Sequence, residues 1–169
     1  MKDFGLFAMS DSDFAGHLHS RRSTAGYGLF CLGALLAWSS KLMTTIAAST
    51  MEAEYMAAFH CSQEIVFIRN LLKEIVIVLT GPTIMYMDAE AAICAINSEK
   101  FHPRTKHIDV KYRLINQLCD PSNPLSPIKV MNIRSVNMIS DLFTKVTGYA
   151  VYDSLIDDII SREKPDECT

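Results

Sequence analysis

The chain has 169 residues, 49% of them hydrophobic and 21% charged, which suits one globular domain with a sizeable core and excludes intrinsic disorder as its main state. Only seven Gly and six Pro exclude collagen-like and low-complexity classes. The net charge of −3 is uneven: residues 153–169 hold six acids against two bases, so the first 152 residues stand at +1 and charge alone gives no sign of a nucleic-acid binder.

Gly5 to Ser10 reads as a strand that ends at Asp11 and feeds a polar loop reaching Thr24. Tyr27 to Leu32 is a second strand, and a turn at Gly33-Ala34 leads to a third, Leu35 to Ser39, completing an antiparallel meander. The indole of Trp38 is expected in the core. Ser49-Thr50-Met51-Glu52 is a capping box, with Ser49 as N-cap and Glu52 three residues on, opening a helix that runs to about Glu74. Its apolar stripe is Ala58, Cys61, Ile65, Ile68 and Leu72. Four residues back from Ala58 stands Glu54, so a carboxylate begins the buried face. The cap explains Glu52 and leaves Glu54 unexplained.

Gly81-Pro82 interrupts the chain before a strand, Thr83 to Met87, that ends at Asp88. A short helix over Ala89 to Asn97 follows, then a basic stretch, a helix from about Ile108 to Cys119 and a loop at Asp120-Pro121-Ser122-Asn123-Pro124. Ile128 to Ile133 is a fifth strand, and Asn137 to about Lys145 a last amphipathic helix. This order predicts an α/β domain: a mixed sheet with helices on its faces. The expected boundaries are one domain over 1–148 and an acidic, partly mobile extension over 149–169.

Cysteines at 31, 61, 94, 119 and 168 form no CxxC and no zinc spacing, so they read as buried thiols of a reducing compartment. No run of 18 apolar residues exists, and Met1-Lys2-Asp3-Phe4-Gly5 lacks a signal core. An intracellular, cytoplasmic protein away from membranes is expected.

Four acids carry the candidate chemistry. Asp11 and Asp88 follow strands, Glu54 starts a buried helix face, and Asp141 lies among Met138, Ile139, Leu142 and Phe143. Brought to one sheet edge, they would repel one another and need cations to stay ionised. Mg²⁺ suits such oxygen ligands, and two ions about 4 Å apart can activate a water against a phosphodiester. Each acid also has a plainer reading. Asp88 has the position of an N-cap, Asp11 and Asp13 those of loop-capping residues, Asp141 that of a solvated helix face, and Glu54 that of an acid favoured in a first turn. His17 and His19 beside Asp11 and Asp13 are a weaker metal pattern. Residues 99–113 hold Lys100, Arg104, Lys106, Lys111 and Arg113 against Glu99 and Asp109, a local +3, with His102 and His107 uncounted. That patch reads either as phosphate-backbone contact or as a solvated loop.

Several blocks then agree in order. Met9-Ser10-Asp11-Ser12-Asp13-Phe14-Ala15-Gly16, Arg22 to Tyr27, Ala37-Trp38-Ser39-Ser40-Lys41, Ser49 to Ala58, Tyr86-Met87-Asp88, Arg104 to Asp109, and Ser140 to Lys145 resemble the ribonuclease H domain of copia-type retrotransposon polyproteins over about residues 6–145. The resemblance implies a ribonuclease H-like fold: a five-stranded mixed sheet with strands 1–3 antiparallel, flanked by helices. It implies hydrolysis of the RNA strand of RNA–DNA hybrids during reverse transcription. Asp11, Glu54, Asp88 and Asp141 would be its catalytic acids and the ligands of two Mg²⁺ ions, with Mn²⁺ as a substitute. Asp13 is the rival to Asp11, which directly follows the expected strand. Arg22, Lys100, Arg104, Lys106 and His107 would meet the hybrid. A reverse transcriptase domain would lie upstream in a parent polyprotein, housed in a virus-like particle. The chain departs from the family pattern at Met9, Phe14, Leu42, Ala89 and Val146. The alternative these departures favour is a degenerate module of the same fold that binds nucleic acid or a polymerase partner without turnover.

Overall fold

A computed structural model describes residues 5–77, 79–98, 109–146, 148–149, 152–153 and 155–156, with the side chains of 109–113 outside that description. Alternation along β1 (Phe7–Asp13) sends Phe7 and Met9 to one side of a sheet and Ala8 to the other. β2 (Thr24–Cys31) pairs antiparallel with β1, and β3 (Ala34–Leu42) pairs antiparallel with β2. β4 (Thr83–Met87) lies parallel to β1 on its other flank, and β5 (Ile128–Asn132) lies parallel to β4. The strand order is β3-β2-β1-β4-β5, the mixed sheet with an antiparallel first meander that the sequence implied.

Parallel neighbours need long crossovers, and helices supply them. α1 (Thr50–Glu74) connects β3 to β4, while α2 (Glu90–Ile96) and α3 (Asp109–Leu118) connect β4 to β5. The expected α1 stripe is buried throughout: Ala58, Cys61, Ile65, Ile68 and Leu72 pack with Leu29, Met85, Met87, Ile96 and Ile115 in the main core. The opposite sheet face carries a second cluster, in which Phe7, Met9, Phe30 and Tyr86 lie under Ile133, Met138 and Ile139. Phe7 and Phe30 stack there with centroids 4.9 Å apart. Leu155, from the acidic extension, is buried in the same cluster. The four cysteines among the described residues are free thiols; Cys61 and Cys119 are buried as expected, whereas Cys31 is half-buried and Cys94 is exposed. No helix among the described residues is long and apolar enough to cross a membrane.

Three local expectations change. β1 runs through Asp13, so Asp11 lies inside the strand rather than after it; the ladder to β2 continues as Asp11↔Gly26 and Asp13↔Thr24. The expected helix over 137–145 splits into a 3₁₀ turn, Ser135–Asn137, and a single turn, α4 (Asp141–Thr144). Between them Met138, Ile139 and Ser140 are fully buried, so packing onto the second cluster overrides helical continuity. Trp38 is 63% exposed rather than in the core. β3 is an edge strand, and one side of the indole stacks on Phe143, with centroids 5.7 Å apart, while the other faces outward.

Candidate metal centre

Strand register sets the first two acids side by side. Phe7, Ala8 and Met9 pair with Ile84, Met85 and Tyr86. Two residues beyond Met9 and Tyr86 stand Asp11, still inside β1, and Asp88, the residue that follows β4, so the parallel pairing leads both acids to the same end of the sheet. The third acid comes from the start of α1. Ser49 Oγ accepts from the Glu52 amide at 3.2 Å, and Glu52 Oε2 accepts from the Ala48 amide at 2.7 Å. The two ends of the capping box are thus used up locally. Glu54, half a turn further, points inward and is 3% exposed.

Asp11, Glu54 and Asp88 each offer a carboxylate oxygen, and these atoms lie within 4.8 Å of one another. Glu54 Oε1 accepts from the Ser12 amide at 3.1 Å and from Ser12 Oγ at 2.9 Å. Its other oxygen, Oε2, is buried with no hydrogen-bond partner. Burial pushes the Glu54 pKa up to about 8, with the Asp11 and Asp88 charges adding to the rise and the Ser12 hydrogen bonds opposing it. A buried acceptor without a partner and a crowd of like charges are both costly. One hard cation would answer both, since it would give Oε2 a partner and offset the like charges. An all-carboxylate donor set suits Mg²⁺ or Mn²⁺ rather than a thiophilic ion.

Asp88 does not cap α2: the N-cap is Ala89, without a side-chain bond, and Asp88 Oδ2 instead accepts from Ser135 Oγ at 2.7 Å. Asp13 lies over the next loop, its carboxylate where a Cβ on Gly16 would stand, and Asp11 occupies the three-acid group. His17 and His19 join no metal-competent group among the described residues. His17 Nδ1 instead accepts from the Ser20 amide at 3.2 Å, closing a turn. Arg22 is exposed in the same loop. Lys100, Arg104, Lys106 and His107 lie outside the described residues, as do the side chains of Lys111 and Arg113.

Asp141 is not part of the three-acid group; a lysine stands between them. Lys145 Nζ is 2.7 Å from Asp141 Oδ1 and 3.3 Å from Asp11 Oδ2. Thr144 Oγ1 donates to the same Asp11 oxygen. Burial opposes the Lys145 charge, but the Asp141 hydrogen bond and the Asp11 charge outweigh it and raise the ammonium pKa above its ordinary value. Sequence reasoning missed Ser12, Ser135, Thr144 and Lys145. For Lys145 a signal existed: it stands four residues after Asp141, the spacing of a helical ion pair. The others act across 42, 47 and 133 residues of chain, which no local pattern encodes.

The chain is similar to Pol polyproteins of plant retrotransposons. It is 34% identical over 141 residues, 83% of its length, to the Pol polyprotein of transposon TNT 1-94 from Nicotiana tabacum. It is 31% identical over 162 residues, 95% of its length, to that of transposon RE1 from Arabidopsis thaliana. The chain is a relative of copia-type retrotransposon Pol polyproteins. It spans only 10% and 11% of those two relatives. No family model matches it.

Among solved structures, this copia relative superposes on ribonuclease H1 of Halobacterium salinarum with a TM-score of 0.57 and 11% identity, covering 90% of this chain and 98% of the other. It superposes on LC11 ribonuclease H1, solved in complex with an RNA/DNA hybrid, with a TM-score of 0.58 and 14% identity, covering 92% of this chain and 99% of the other. At such identities the likeness establishes the fold, which is ribonuclease H-like.

Proposed function

We propose that this chain is a retrotransposon-derived ribonuclease H that hydrolyses the RNA strand of RNA–DNA hybrids during reverse transcription. The observation that carries the reading is the Asp11–Glu54–Asp88 group, two of its acids buried and Asp88 half-buried, with Glu54 Oε2 lacking a partner, on a ribonuclease H-like sheet. Asp11, Glu54 and Asp88 would hold a divalent ion, Mg²⁺ or Mn²⁺, and Asp141 with Asp11 a second at the rim. Ions bound there supply an activated water and stabilise the leaving oxygen of the phosphodiester.

The chain's own residues do the rest. Ser12 and Ser135 hold the Glu54 and Asp88 carboxylates in fixed orientations, leaving Glu54 Oε2 free to bind. Thr144 does the same for Asp11. Arg22 and the segment with Lys100, Arg104, Lys106 and His107 would track the phosphate backbone, supplying affinity without sequence preference. Relatives of which the matched region makes up only 10% and 11% support a parent polyprotein, in which an upstream reverse transcriptase domain would share the hybrid. Residues 1–148 would be the working unit, with 149–169 an acidic extension anchored by Leu155.

The test is cleavage of an RNA–DNA hybrid labelled on the RNA strand, with Mg²⁺ or Mn²⁺ against a chelated control. RNA fragments with metal, and intact RNA in chelator, are expected. Uncut hybrid under all conditions, with retained binding, would replace the nuclease with the non-catalytic binding module.

A further inference from the structure

The Lys145 ammonium occupies a cation position. It lies 2.7 Å from Asp141 Oδ1, 3.3 Å from Asp11 Oδ2 and 3.4 Å from Asp11 Oδ1. A divalent ion shared by Asp11 and Asp141 would need the same oxygens at about 2.0–2.1 Å. Ion and ammonium therefore compete for the same pair of carboxylates. The two ends of Lys145 are built differently. Its backbone is fixed: its amide donates to the Asp141 carbonyl at 2.9 Å, and the preceding Phe143 and Thr144 sit against Gly26 and Gly28 of β2. Its side chain is 40% exposed, and a flexible four-carbon arm can carry the ammonium into water.

Resting on the metal-centre reading above, we propose that Lys145 is a built-in occupant of the second cation position. In the metal-free chain, and with one ion at Asp11, Glu54 and Asp88, the ammonium ties Asp141 to Asp11 and holds both in place. A second ion enters only when the arm swings out. Lys145 is thus a positioning residue that makes the second ion the weaker one, and its displaced ammonium is then free to meet a phosphate of the hybrid. Among the described residues no other ammonium or guanidinium pairs with Asp11 or Asp141.

The experiment uses the full chain and two readouts that do not depend on turnover. Calorimetric titration with Mg²⁺ and with Mn²⁺ is run on the native chain, Lys145→Met and Lys145→Arg. Lysine acylation of the native chain is then followed by mass spectrometry in chelator and at saturating Mg²⁺, with Lys41 and Lys73 as internal references. Lys145→Met is expected to bind its second ion at least tenfold more tightly than the native chain, while Lys145→Arg retains the weak second ion. In the native chain, Lys145 should acylate several-fold faster with Mg²⁺ than in chelator, and the reference lysines should not change. The acylation arm decides the matter even if Lys145→Met does not fold. Equal second-ion affinity in native chain and Lys145→Met, or Lys145 acylation indifferent to Mg²⁺, overturns the role of Lys145 and leaves the metal centre standing. No divalent ion bound by any of the three chains overturns the centre itself.

Discussion

Gly26 makes room for Thr144. A Cβ on Gly26 would stand 2.5 Å from Thr144 Cγ2 and 2.9 Å from Phe143 Cβ. Gly26 is also the cross-strand partner of Asp11, so the bare strand seats α4 where the Thr144 hydroxyl reaches that carboxylate. The site geometry therefore depends on an atom that the sequence omits.

Gly26→Ala should lift α4 from β2. Overpacking of this kind costs about 1–3 kcal/mol, read as a lower midpoint in chemical denaturation. Trp38 is the chain's one tryptophan and stacks on Phe143, so its emission should shift with the lost stack. Gly28→Ala should cost less, because its nearest contact is the end of the Phe143 ring at 3.0 Å. Native stability and emission in Gly26→Ala would show that α4 is not seated as described.

Asp88→Asn keeps an acceptor for Ser135 and removes a charge from the three-acid group. Metal-free chain should become more stable, because one repulsion is gone. Divalent-ion affinity and hybrid cleavage should fall by about a hundredfold or more, since losing even a supporting partner of a ligand costs about 10–100-fold. The paired measurement is melting temperature in chelator and ion affinity by calorimetry. An unchanged melting temperature together with unchanged affinity would remove Asp88 from the site.

Glu54 should make the metal-free chain weaken as pH rises. Its folded pKa is raised from the ordinary 4.5 to about 8. Between those values the folded chain keeps a proton that the unfolded chain has released. The stabilisation is complete below about pH 4.5 and disappears as pH rises through about 8. Melting in chelator should therefore drop across this window, with a slope no steeper than about 1.4 kcal/mol per pH unit. Glu54→Gln should flatten it, and Mg²⁺ should stabilise the native chain most at the alkaline end. A native curve that rises over the same window would mean that Glu54 is ionised without metal.

Replacing Arg104 and Lys106 with Ala should weaken hybrid binding and reduce its salt dependence. Each lost phosphate contact removes about one unit from the slope of log affinity against log salt. Divalent-ion affinity, measured without hybrid, should stay as it is. An unaltered salt slope would return this segment to the status of a solvated loop.

Much of the architecture was legible because its signals are local. The Ser49–Glu52 box and the Ala58-to-Leu72 stripe define a helix by capping and period, and the structure ends it at Glu74 as expected. The same stripe, extended back one turn, distinguishes Glu54 on the buried face from Glu52 in the cap. β4 from Thr83 to Met87 was bounded by a Gly-Pro break and an acid. The last helix was misread for the opposite reason. Its apolar pattern was compatible with continuous helix, but burial of Met138 and Ile139 on Phe7, Met9 and Tyr86 outweighed helix propensity. Trp38 was misread because aromatic bulk says nothing about which strand becomes an edge.

By itself, then, the sequence determined the five strands in outline, the long helix, the Glu54 that begins its buried face, the Asp88 that follows β4, and the polyprotein family they resemble. Those are properties of residues a few positions apart, where period, caps and turn chemistry act. Only the tertiary structure decided that Asp11 and Asp88 meet through parallel register, that Glu54 keeps one oxygen without a partner, and that Lys145 stands between Asp11 and Asp141. Those depend on strand order and on one face closing over another, and they couple residues up to 134 positions apart. Electrostatic crowding, unlike helical period, exists only once the chain has brought the charges together.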